Sequence, residues 1–137
     1  MTFKRNDKFN AGLRVEIGRR AVRAAEAVRD TARARMDAGG SGESYSGEPR
    51  RSSADGESPV NQRGTLSDSL TAYGPRIDDR KIEAAMGASA DNNNYTIMWL
   101  EHGTARMAPR PLLFPSLIEA RPLVLKAFAA KGAGDGA

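Results

Sequence analysis

The chain has no cysteine, one histidine and one tryptophan. Without cysteine there is no disulfide framework, no thiol nucleophile and no thiolate-ligated zinc or iron–sulfur site. The one histidine, His102, has no second metal ligand at helical spacing, and no recognisable nucleophile motif or glycine-rich phosphate loop accompanies it. Aromatic residues make up 6% of the 137 residues and are not interleaved with basic ones, as a stacking platform for single-stranded nucleic acid requires. No helix-turn-helix, zinc-finger or RNA-binding motif is visible. No apolar run approaches the roughly 20 residues of a membrane span. The opening stretch MTFKRNDKFNAGLRVEIGRR has early positive charge but no apolar core, so it is not read as a signal peptide. These absences predict a single domain over 1–137, made and used in a cytoplasm, with no metal and no cofactor.

What is present is unevenly charged. Residues 1–38 hold ten Lys/Arg against five Asp/Glu, and the remaining residues hold eleven against twelve, so the net charge of +4 belongs to the N-terminal segment. Within it, 9–37 reads as one long helix. Leu13, Ile17, Ala21, Ala24, Val28, Ala32 and Met36 recur at spacings of three and four and make one apolar stripe. Asp7 or Asn10 is placed to cap its start. Gly39-Gly40 ends it. Arginines spread around the other faces. Arg19, Arg20, Arg23 and Arg33 are the candidates for a DNA channel or an acidic partner, against the plainer reading of a solvated face with i,i+4 partners.

Residues 39–63 are a composition break, rich in Gly, Ser, Glu and Pro and nearly free of apolar residues. The segment is expected to be a flexible loop, ordered only by another subunit. Structure resumes at Gly64, where Thr65 is placed to cap and Leu66 and Leu70 lie one helical turn apart. The stretch 64–104 is expected to be mainly strands, giving an antiparallel sheet of three or four. Gly74-Pro75 marks a bend or bulge, and Asp78-Asp79 a turn between two strands. Ile82, Ala84 and Met86 alternate as in a half-buried strand. YTIMWLEHG (95–103) fits a strand, or a strand passing into a short helix. A helix over 111–131 follows, with Pro111 or Pro115 in its first turn and a kink or break at Pro122. Residues 132–137 form a tail. The fold class is therefore α+β, a long N-terminal helix on a small antiparallel sheet with a C-terminal helix. The expected core is Leu13, Ile17, Val28, Leu66, Leu70, Ile82, Ile97, Trp99, Leu113, Leu117 and Ile118.

The chemistry on offer is thin. Glu101 beside His102 has the form of a general base with an orienting carboxylate. A lone histidine next to a Gly turn more often bonds locally or packs at an interface. Asp78-Asp79 reads as a turn before it reads as metal ligands. GAGDG near the end lacks the other ligands of a calcium loop.

The most informative stretch is WLEHGTARMAPRPLLFPSL, Trp99 to Leu117. It holds too many prolines for a core strand and is too apolar for an ordinary solvent loop. Prolines fix the backbone in advance, so docking costs less entropy. Trp99, His102, Met107, Pro109, Pro111, Phe114 and Pro115 are candidate subunit-interface residues. Tyr45, Arg50 and Arg51 of the 39–63 loop join them as bridging elements.

TLSDSL after Gly64, two strands, and then this stretch resemble a family of long-tailed bacteriophage proteins, the neck or tail-completion proteins of the head–tail joining region. That family shows a Thr-Gly-x-Leu-x-x-Ser-Ile-like segment, a Val-Glu-Phe-Gly-Thr-like turn, and Ala-x-Pro-Phe-Leu-x-Pro-Ala-Leu. Here the turn is Leu100 to Thr104 and the proline segment is Ala108 to Leu117. Gly64-Thr65 stand in reverse order, and His102 replaces an aromatic. The resemblance covers roughly residues 10–130. It implies a structural virion protein without catalysis, a homo-oligomeric ring favoured as six-fold over twelve-fold. Its implied partners are adjacent neck and tail proteins and passing double-stranded DNA held non-specifically, with no membrane. Its implied place is the head–tail junction of the virion, after assembly in the host cytoplasm. The alternatives are another neck component, stopper or tail terminator, and a small basic DNA-binding protein.

Overall fold

The computed structural model describes residues 7–88 and 94–129. The elements in chain order are α1 (Asp7–Asp37), α2 (Thr65–Ser69), β1 (Leu70–Ile77), β2 (Ile82–Ala88), α3 (Asn94–His102) and α4 (Leu113–Ala129). β1 and β2 pair antiparallel. α1 packs across both strands and also against α4. The class is α+β, as the periodicity predicts. Among the described residues the sheet has two strands, not three or four. The tail 132–137 and most of the 91–94 loop lie outside the described residues.

α1 follows its stripe over the last two thirds of its length. Ala21, Ala24, Val28, Ala32 and Met36 are buried, with Ala25 beside them. The alanines let the helix lie close to the sheet and to α4 while covering little area per turn. Gly39, at φ 88, stops the helix in the left-handed conformation, and Asn61 N–H closes on the Met36 carbonyl at 2.9 Å. The N-terminal end departs from expectation. Leu13 is exposed and Ile17 half-buried. Arg14 donates to the Asp78 carbonyl at the tip of the hairpin, so the turns before it project past the end of the sheet. Asn10 lies inside the helix, not at its cap.

The hairpin is built as its sequence indicates. Asp78 accepts the backbone N–H groups of Arg80 and Lys81 at 2.8 and 2.9 Å, an Asx-type turn that holds its carboxyl below the usual range. The register slips between Tyr73 and Arg76, where the Gly74–Pro75 bond is cis and two residues of β1 bulge against β2. At α2 the cap position is Gly64 itself, with no side-chain cap, rather than Thr65.

The buried centre is Ala32, Met36, Leu70, Ile97 and Leu112, with Leu66, Met86 and Leu113 packed against it. Val28, Leu70 and Ile97 of the expected core are buried, and Ile82 is half-buried. Trp99, Leu117 and Ile118 are not core. YTIMWLEH is a helix, so Ile97 and Trp99 stand about 200° apart instead of on one side as in a strand. On α4 the fully buried positions are Ser116 and Ala120, which leaves Leu117 and Ile118 about half exposed. α4 begins at Leu113, with Pro115 in its first turn, and runs through Pro122 without a break. It is tied to α1 on both sides of that proline, by Arg35 to Glu119 at 2.5 Å and by Arg20 to the Phe128 carbonyl at 2.6 Å.

Residues 39–63 have a hydrogen-bonded course of their own. Gly42 N–H meets the Ser52 carbonyl at 2.8 Å and Ser52 N–H the Glu43 carbonyl at 2.9 Å. Glu57 accepts from Ser41 and from the Ala54 N–H, which lowers its pKa to about 2. The order expected from another subunit is supplied here by bonds within the chain. Gly56 N–H then fastens the loop to the Pro109 carbonyl at 3.0 Å.

Candidate functional site

The proline segment is organised by one carboxylate. α3 ends at His102, and Gly103 N–H returns to the Trp99 carbonyl at 2.7 Å. Gly103 sits at φ 77, and a Cβ there would lie 2.9 Å from the Met107 carbonyl oxygen, so the turn requires glycine. Thr104 and Met107 bond to each other through both N–H groups. Arg110 N–H reaches the Leu100 carbonyl at 2.6 Å. Glu101 then accepts three backbone N–H groups at the start of α4, from Leu112, Leu113 and Phe114, at 2.7, 2.8 and 2.9 Å. A helix start leaves such donors unpaired and carries partial positive charge, and a carboxylate satisfies both. Glu101 is thus a cap delivered from a distant part of the chain. It is committed to backbone and does not serve His102, which stands exposed.

The expected interface residues divide. Trp99 and Phe114 are exposed, at 55% and 66%, as is Tyr45. His102 and Pro109 are exposed, and Met107, Pro111 and Pro115 half-buried. Arg50 and Arg51 are exposed but serve their own loop, Arg50 donating to the Asp37 carbonyl at 3.1 Å and Arg51 to the Gly42 carbonyl at 2.9 Å. Of the four arginines expected on one basic face, Arg19 and Arg23 are exposed. Arg33 turns inward, donating to the carbonyls of Ser67 and Leu70 at 3.1 and 2.8 Å. Arg20 links Glu16 to α4. The four do not form one basic surface.

Two features were not singled out from sequence. The first is the outer face of α4, where Phe114, Ile118 and Leu125 are each more than half exposed. The second is an open apolar cleft of about 740 Å³ between α1, β2 and α4. Ala21, Ala24, Ala25 and Val28 form its floor, residues 82–86 one wall, and Leu113, Phe114, Leu117, Val124 and Phe128 the other. Glu101 stands at its edge. The available signal was the apolar residues of α4, which occupy more sides of the helix than one neighbour covers.

Among the described residues no three His, Asp or Glu side chains stand close enough to hold a metal ion, and no helix is long and apolar enough to cross a membrane. No protein-family model, no curated protein and no solved structure matches the chain.

Proposed function

We propose that this chain is a structural protein of a bacteriophage head–tail junction, a ring subunit that helps complete the tail and join it to the DNA-filled capsid. The observation that carries the assembly part of this reading is the outward apolar face of α4. Phe114, Ile118 and Leu125 stand 66%, 56% and 59% exposed on a helix whose inward side is already packed. Large apolar side chains exposed on one helix face mark an interaction surface. A ring of identical subunits covers it by a head-to-tail contact that closes by rotation. The phage part rests on the resemblance of the Gly64–Leu117 motif order. The Glu101 cap supports it indirectly, giving the Glu-x-Gly-Thr and proline motifs one shared structural task. The ring is six-fold in this proposal, its neighbours are neck and tail proteins, and passing duplex DNA meets diffuse charge such as Arg19 and Arg23. The protein performs no catalysis and works in the virion.

The test is deletion of the gene in its source phage, with electron microscopy of the lysate. DNA-filled heads and separate finished tails are the expected outcome. Normally joined particles would overturn the reading.

A further inference from the structure

The cleft has an unusual wall. Successive residues of a strand point to opposite faces of a sheet, so a pocket on one face touches every second residue. Here Ile82, Glu83, Ala84, Ala85 and Met86 all line the same cleft. The cleft therefore runs along the edge of β2, facing its backbone. β2 pairs with β1 on one side only. Among the described residues, no hydrogen bond beyond that ladder involves the backbone of Ile82–Gly87. A row of unpaired N–H and C=O groups is a template for another strand.

We propose that this edge takes one extended segment of another protein chain, uncharged where it faces the cleft and apolar at alternate positions. The backbone edge selects an extended peptide, because only a strand offers donors and acceptors at matching intervals. α4 forms the opposite wall, so the space of about 740 Å³ admits a few residues and not a sheet with its covering helix. Five residues of β2 span about 17 Å, which sets the length of the paired segment. The alanine floor leaves room for its inward side chains. No free charge awaits it: Glu83 pairs with Lys81 at 3.1 Å, and Glu101 is engaged by α4. The described part of this chain offers no such segment. The outer edge of β1 is interrupted by its bulge and Pro75, loop 39–63 is bonded to itself, and 103–112 is fixed by its turn and prolines. The proposal stands independently of the head–tail reading.

The probe is a blocked synthetic peptide, Lys-Thr-Val-Thr-Val-Thr-Val-Thr-Lys, added to the purified full chain. Backbone amide exchange is followed by NMR. The amides of residues 82–86 that face the cleft should slow about tenfold or more, with those of α2 unchanged. A peptide with proline at the central valine should lose the effect. Leu117→Asp, on the far wall, should weaken peptide binding about tenfold, and Tyr45→Ala in the loop should leave it unaltered. No protection at 82–86, or equal protection by the proline peptide, overturns the proposal. So does protection that rises with protein concentration and no peptide, which assigns the edge to a second copy of this chain.

Discussion

The two sides of α4 use opposite kinds of residue. The side against α1 carries Ser116 and Ala120, both fully buried, and the side turned away carries Ile118 and Leu125, with Phe114 between that side and the cleft. In a lone globular domain the larger apolar residues go inside, because each buried one contributes about 1.5–3 kcal/mol. Here the inner contact is made close by small residues and the larger area is left outside. What holds α4 in place is therefore not broad apolar burial. It is an anchor at its start, Leu112, a cap from Glu101, and two arginine ties to α1. The stability of the helix and the area it exposes are separable, and substitutions should separate them.

The largest effect is expected at the anchor. Leu112 is fully buried among Ala32, Met36, Leu70 and Ile97. Leu112→Ala removes three carbons' worth of packing and leaves a cavity, so urea unfolding should show a loss of about 3 kcal/mol. A loss under about 1 kcal/mol would mean the α3–α4 junction is loosely packed. Next comes the cap. Glu101→Ala strands three N–H groups at the start of α4 and should cost about 2 kcal/mol, with Glu101→Gln recovering part of it because one carbonyl oxygen remains. If Glu101→Ala changes midpoint by no more than a surface substitution does, the cap is not what fixes the proline segment.

Much of this architecture was legible. α1 was, because alanine and methionine repeat at three and four over many turns. The hairpin was, because Asp78-Asp79 and Gly74-Pro75 have few other uses. The helix at 94–102 was not, since Ile97, Met98, Trp99 and Leu100 in succession satisfy both a period of two and one of 3.6. The wrong period also put Trp99 on the side of Ile97. α4 is apolar on several sides, so pattern alone did not say which side met α1. The Glu101 cap has no local signature, since its bonds span eleven to thirteen residues along the chain. Arg33 and Arg20 read as surface because their heads are charged, yet their long stems let those heads reach carbonyls of α2, β1 and α4.

The smallest effects test the inner and outer sides against each other directly. The Ser116 hydroxyl is fully buried, and among the described residues it has no hydrogen-bond partner. A buried hydroxyl without a partner loses its water bonds and gains nothing in return. Ser116→Ala removes that deficit and keeps the close approach to α1, so it should raise stability by about 1 kcal/mol. Two positions on, Ile118 faces away at 56% exposure. Ile118→Ser should change the stability of the dilute protein by less than about 0.5 kcal/mol, while sedimentation of the concentrated protein shows weaker self-association. The two substitutions exchange the usual expectations for an inner and an outer position. If Ser116→Ala destabilises, the hydroxyl contributes to the α1 contact. If Ile118→Ser costs as much as Leu112→Ala in the dilute protein, the outer face is packed against its own chain and is not kept for a neighbour.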